Sequence, residues 1–235
     1  MVICAMQLSE EKQKQADFLY LILAGIFIAS LVSCNLIFQK FFTWSPFGLY
    51  NFEISVGILP YPITFLVTDL ISEIYGLKRA NRVVMAGLVA SVFILGVVTI
   101  ADMAPATEWS PVTDGEFSKV FGLTSVSVGA SMAAYLLAQF IDIRLFHFWK
   151  RLTKGKHLWI RNNFSTMTSQ LVDTTVVVGL LCSVGAIEWQ RFGDLIFAGW
   201  LFKAIVAAFD TPVLYLSTFG IRRYLGLTGS EEVEF

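Results

Sequence analysis

Apolar residues run along this chain in six long stretches separated by short polar ones. The stretches lie at 18–40, 54–75, 81–101, 122–146, 164–187 and 194–220. A helix that crosses a bilayer needs about 20 mainly apolar residues, and each stretch reaches that length. The alternating strands of a membrane β-barrel would not produce apolar runs of this size. The pattern predicts an all-α integral membrane protein with six transmembrane helices. Residues 1–17 form an N-terminal tail, 18–225 one transmembrane domain and 226–235 a C-terminal tail. Residues 7–17 are polar, and the run behind them is too long for the apolar core of a secretory signal. The first helix is therefore expected to remain in the mature protein.

The second stretch is irregular. Glu53, Gly57, Pro60 and Pro62 interrupt it. Proline is tolerated in the first turn of a helix but removes a hydrogen bond from its interior. A regular helix is thus expected from near Pro60 to Tyr75, preceded by a broken or re-entrant piece. Backbone of that kind survives at membrane depth only where protein or a wet cavity covers it. A kinked helix packed against its neighbours is the alternative.

Composition removes the soluble classes. Of 235 residues, 56% are apolar and 15% charged, against about 45–50% and about 25% in soluble domains. With 17 basic and 18 acidic residues, no nucleic-acid-binding surface is indicated, and the lipid bilayer is the expected surrounding. Thirteen of the 17 basic residues cluster at four places: Lys12 and Lys14 in the N-terminal tail, Lys78, Arg79 and Arg82 around the turn after the second stretch, Arg144, Lys150, Arg151, Lys154, Lys156 and Arg161 around the turn after the fourth, and Arg222 and Arg223 at the C-terminal end. Lysine and arginine mark the cytoplasmic side, so both termini are expected there. Cys4, Cys34 and Cys182 are scattered, and His147 and His157 sit in a basic turn. Neither a metal site nor a cofactor is expected. Motifs for a serine hydrolase, a zinc protease, a P-loop and a dinucleotide fold are missing, which points away from an enzyme.

Six charged residues stand where lipid should have excluded them: Asp69, Glu73, Asp142, Asp173, Lys203 and Asp210. A charge at the bilayer centre costs roughly 2.5–3.5 kcal/mol on insertion scales. Five acids against one base cannot neutralise each other, so an external donor, proton or cation is implied. At about 1.5 Å per residue, Asp173 and Asp210 lie near the midplane and Asp69 about 9 Å from the inner end. Glu73 lies shallower, where a salt bridge to Lys78, Arg79 or Arg82 would also explain it. Lys203 belongs to the outer half, as a loop anchor, an acid's partner or a ligand group. Asp69, Glu73 and Lys203 are the candidates for gating or proton coupling. Pro212 frees the carbonyl of Ala208 one turn back, beside Asp210.

Ala138-Gln-Phe-Ile-Asp142 and Ser169-Gln-Leu-Val-Asp173 repeat one pattern. The i,i+3 spacing puts each glutamine and aspartate on one helical face. Carboxylate and carboxamide together suit the amidine or amide edge of a flat heterocycle, although the same residues also glue helices together. Asp173, Gln170, Asp210, Gln139, Asp142 and Asp69 are the candidate substrate ligands. Trp44, Tyr50, Tyr61, Tyr135, Trp200 and Tyr215 are candidate stacking surfaces or interface residues. Gly25, Ala29 and Ser33, Gly87 and Ser91, and Gly179 and Ser183 form small-residue ladders that allow close helix approach. They leave a homo-oligomer open.

Leu59-Pro-Tyr-Pro-Ile-Thr-Phe-Leu-Val-Thr-Asp-Leu-Ile-Ser-Glu-Ile-Tyr-Gly76 closely resembles the signature of the queuosine precursor transporter family, also called the vitamin uptake transporter family. Ala138–Asp142, the segments 159–165 and 169–173, and 203–212 support the likeness, which extends over about 18–225. The resemblance implies six helices in the bacterial inner membrane. It implies import of 7-cyano- and 7-aminomethyl-7-deazaguanine, precursors of the tRNA base queuosine. It also implies kinship with the substrate-binding components of energy-coupling-factor importers, with no energy-coupling module expected. A binding subunit for another purine-like or vitamin ligand, dependent on such an ATP-driven module, is the competing reading.

Overall fold

The computed structural model describes residues 5–6, 9–45, 48, 51–122, 124–153, 158–183, 185, 187–227 and 231–233. A two-residue strand β1 (Ala5–Met6) precedes helix α1 (Glu10–Ile37), and a hairpin follows, β2 (Phe41–Trp44) with β3 (Phe52–Ser55). A 3-10 turn (Val56–Ile58) leads into α2 (Tyr61–Ile74) and then α3 (Leu77–Met103). After one short turn, α4 (Asp114–Phe117), come α5 (Thr124–Leu152), α6 (Leu158–Ser183), α7 (Phe192–Leu225) and a terminal strand β4 (Glu232–Val233). The fold is a helical bundle, with only two-stranded pairings among the described residues.

Among the described residues, four helical spans are long and apolar enough to cross a membrane: Glu10–Ile37, Val56–Ile74, Leu77–Met103 and Trp189–Leu225. Helices α5 and α6 stand where the fourth and fifth apolar stretches lie. Within α6, the described stretch Met167–Ser183 is a shorter apolar helix. Helix α1 starts at Glu10, inside the polar segment that hydropathy leaves in the tail. Glu10 and Glu11 in the first turn suit the positive end of the helix, so electrostatics extends the helix past its apolar part.

Polarity is turned inside out. Phe93, Ile100, Phe209 and Leu216 are 67–73% exposed, whereas Thr64, Thr68, Gln139, Asp142, Ser165 and Ser169 are wholly buried. Continuous apolar surface of this extent belongs against lipid. The main core gathers Phe27, Phe65, Ile71, Ile74, Phe146 and Leu214 between α1, α2, α3, α5 and α7. Helix α5 packs along α6, and α6 along α7.

The break before α2 takes the form of the hairpin. Phe41 pairs with Ser55 and Trp44 with Phe52 in antiparallel register, so the backbone groups of this irregular segment satisfy one another. Its inward face, Phe52 and Ile54, packs on Ala198 and Phe202 of α7, and Trp44 meets the Phe202 ring edge-on at 5.1 Å. Below it, Val56 donates to the carbonyl of Lys40 at 2.7 Å. The Ser55 hydroxyl donates to the carbonyl of Phe38 and accepts from the Gly57 amide. On the link between α3 and α5, Thr113 and Glu116 form a reciprocal helix cap, whose bonds hold the Glu116 carboxyl below its usual range.

Both termini leave at the same end. Strand β1 runs parallel to β4, the Lys12 ammonium donates to the carbonyl of Leu225 at 3.1 Å, and the Tyr75 hydroxyl donates to the carbonyl of Ala16 at 2.9 Å.

Glycine is required where the hairpin joins α1. A Cβ on Gly57 would stand 2.7 Å from the carbonyl oxygen of Cys34 and 2.9 Å from the Cα of Phe38, both backbone atoms. Gly25 has nothing within 4 Å. Gly57→Ala should therefore cost about 1–3 kcal/mol, the usual range for overpacking, and lower the melting temperature of detergent-solubilised protein, while Gly25→Ala should leave it unchanged. Equal melting temperatures for the two variants would contradict the close approach.

Candidate functional site

At the end of the bundle opposite the termini, a cavity of about 170 Å³ lies between α1, the hairpin and 3-10 turn, the start of α2, α6 and α7. Its wall is mostly apolar, with a charged spot. The Lys203 ammonium donates to Asp173 at 2.8 Å and to the Thr174 hydroxyl at 3.0 Å. It also stands 4.3 Å from the centre of the Tyr61 ring, in cation–π position. All four side chains belong to the cavity lining, and Asp173 is only 4% exposed.

Local structure explains this meeting. Pro60 and Pro62 sit in the first turn of α2, where proline costs least, and place Tyr61 at the helix mouth. Asp173 and Thr174 stand midway along α6, and Thr174 is oriented by donating to the carbonyl of Gln170 at 2.8 Å. Lys203 follows Phe202, which the hairpin covers. Taking an ammonium and a carboxylate out of water is costly, and removing one partner leaves an uncompensated charge worth about 3–5 kcal/mol.

The cavity continues outward. Phe41, Glu53, Ile187 and Leu195 line both it and an adjoining hollow of about 570 Å³. At this rim Arg191 pairs with Glu53 at 3.3 Å, and both are well exposed.

The other sequence candidates lie deeper. The Gln139 amide donates to the Thr68 hydroxyl at 3.0 Å, tying α5 to α2, and the Ser169 hydroxyl donates to Asp142 at 2.9 Å, tying α6 to α5. Gln170 and Asp69 are buried in the same layer, 4% and 3% exposed. None of Gln139, Asp142, Gln170 and Asp69 lines the cavity that holds Asp173. Asp210 is half-buried and also outside it. Seven residues after Lys203, it lies on nearly the same face of α7, about 10 Å nearer the termini. Glu73 is ion-paired, yet with Lys150 at 3.6 Å and Arg222 at 3.2 Å rather than with Lys78, Arg79 or Arg82. The turn at Gly76, with φ of 79°, sends α3 away, and Arg79 stacks over Tyr20 instead.

Among the aromatic candidates, Tyr61 reaches the cavity, while Trp44 packs in the hairpin core. Trp200 donates to the carbonyl of Met167 at 3.1 Å, and Tyr215 is 42% exposed on the outer surface. Tyr50 and the side chain of Tyr135 lie outside the described residues. Among the described residues, no group of three or more histidine, cysteine or acidic side chains could hold a metal ion.

Sequence reasoning missed Thr174, Cys34, Asn35 and Ser55, which also line the cavity. It also missed the hairpin. Aromatic and β-branched residues on either side of Ser45, Pro46 and Gly48 are a hairpin signal, hidden here because apolar strands read as part of an apolar span.

A family model described as "Putative vitamin uptake transporter" matches residues 55–217. A "Probable queuosine precursor transporter" of Bacillus subtilis is 28% identical over 174 residues, which is 71% of this chain and 72% of that protein. The "Queuosine precursor transporter" of Escherichia coli is 23% identical over 75% of this chain and 76% of its own length. A "Probable queuosine precursor transporter" of Haemophilus influenzae is 23% identical over 90% of this chain and 88% of its own length. No solved structure matches. The matched segment runs from the hairpin through Tyr61, Asp173 and Lys203 to the latter part of α7, and the chain belongs to the vitamin uptake transporter family.

Proposed function

We propose that this protein imports queuosine precursors of the 7-deazaguanine class across the bacterial inner membrane. In this reading the chain crosses six times and keeps both termini in the cytoplasm, as the basic turns require. The cavity then faces the outside. The observation that carries the reading is the buried Asp173–Lys203 pair opening on a mostly apolar hollow. A 7-deazaguanine presents a flat ring, an amidine edge that donates hydrogen bonds and a carbonyl that accepts them. Asp173 can accept from that edge, Lys203 can donate to the carbonyl, and Tyr61 offers a ring to stack on. A space of about 170 Å³ holds on the order of ten waters, comparable with one bicyclic heterocycle.

Gln139, Asp142, Gln170 and Asp69 form the next polar layer inward, with Asp210 beside it on α7. They give a passing solute successive hydrogen-bond partners between the cavity and the terminal end. The relatives named as queuosine precursor transporters support the substrate class. With transport as the task, no reaction chemistry is required of these side chains.

Three outcomes follow. First, 7-cyano-7-deazaguanine should raise the melting temperature of the detergent-solubilised protein, while a pyrimidine should not, since a ligand stabilises by its own binding free energy. Labelled precursor should also enter liposomes holding the purified chain alone. Binding without entry would mean a binding subunit of an ATP-driven importer. Second, Asp173→Asn and Lys203→Met should each reduce uptake at least tenfold. The exchanged pair, Asp173→Lys with Lys203→Asp, should recover stability but not uptake. Recovery of both would assign the pair to architecture alone. Third, Tyr61→Phe should keep the affinity, whereas Tyr61→Ala should weaken it roughly 5- to 150-fold, from about 1–3 kcal/mol of base stacking. Equal affinities would remove Tyr61 from the site.

A further inference from the structure

A second charged cluster lies at the opposite end of the bundle, where the termini emerge. Glu73 at the end of α2 pairs with Lys150 of α5 and Arg222 of α7. Lys150 in turn pairs with Glu232 of the C-terminal strand at 2.9 Å. Arg222 also donates to the main-chain carbonyls of Glu73 and Glu231, each at 3.2 Å. These side chains are largely withdrawn from solvent: Lys150 is 5% exposed, Glu73 6%, Arg222 12% and Glu232 19%. Three membrane helices and the C-terminal segment thus meet in one ionic knot.

The segment is seated as well as paired. Val233 and Leu227 are buried within the main core, and β4 lies alongside β1. Gly76 makes room for the acid. A Cβ there would stand 2.3 Å from the Glu232 carboxylate, so the link between α2 and α3 is shaped around it.

We propose that the segment carrying Glu232 is the latch of the inner gate, holding the terminal ends of α2, α5 and α7 together while the cavity is open on the far side. This rests on reading that cavity as the outward-facing solute pocket. For the solute to leave, these three helix ends must part, and the ion pairs that join them run through Glu73, Lys150 and Arg222. Glu232 adds the one carboxylate of the knot that lies on no membrane helix, so it can withdraw without unfolding a span. Releasing it leaves Lys150 with only the longer 3.6 Å contact to Glu73 and shifts the population toward the inward-open form.

Thiol labelling tests this without any solute. Cys34 lines the cavity, and Ser72, 1% exposed, lies next to Glu73 on the inner side. In a chain with Cys4 and Cys182 replaced by serine, a small membrane-impermeant thiosulfonate added outside should label Cys34. Glu232→Gln should slow that labelling at least threefold. The same substitution should speed labelling of Ser72→Cys at least threefold from the cytoplasmic side of inverted vesicles. Glu232→Asp should show smaller changes in the same directions, and Glu10→Gln, which breaks the exposed Lys14–Glu10 pair, should show none. If Glu232→Gln does not fold, a chain ending at Leu227 replaces it with the same expectations. Cys34 labelled in the parent chain, with both rates unaffected by loss of Glu232, would overturn the latch alone. Cys34 labelled from neither side in the parent chain would overturn the pocket reading and the latch with it.

Discussion

An ammonium and a carboxylate held together inside hydrocarbon set the terms for the rest of this molecule. Neither Asp173 nor Lys203 could be inserted alone without a large desolvation cost, and together they are tolerated because contact and geometry offset it. That contact fixes the facing of α6 against α7. It sets where Tyr61 must stand to cover the cation, and it demands a cover against lipid, which the hairpin supplies by packing on Phe202. The pair is the charged spot in the cavity's mostly apolar wall.

Much of this architecture is legible in the residues. The apolar stretches mark the long helices, because lipid imposes one hydropathy requirement on every residue facing it. The buried acids stand out because each violates that requirement. Lys203 is a different case. Spacing along the chain places it in the outer half but cannot select Asp173 as its partner, since that choice depends on how α6 and α7 are rotated. The Gln-x-x-Asp repeats are real helical faces, yet they sort into two depths. Asp173 reaches the cavity, while Gln139 and Asp142 tie helices together one layer below through Thr68 and Ser169.

The C-terminal contacts were less accessible to sequence reasoning. Glu73 looks paired with the basic residues five to nine positions after it. The turn at Gly76 ends α2 and redirects the chain before those residues are reached. The partners come instead from Lys150 and Arg222, 77 and 149 positions away in the chain, and only tertiary packing brings such residues together.

One helix spans both charged clusters. Lys203 at the cavity and Arg222 at the knot both belong to α7, 19 residues apart, or about 28 Å. Pro212 lies almost midway and leaves the Ala208 carbonyl without its usual intrahelical donor. The helix is therefore a lever with a fulcrum near its centre and arms of about 13 and 15 Å. A flexure of about 10° there carries each tip through roughly 2–3 Å, a stroke on the scale of the ion contacts themselves. Any displacement at Lys203 would be carried along this one helix toward Arg222, with no relay of side chains needed in between.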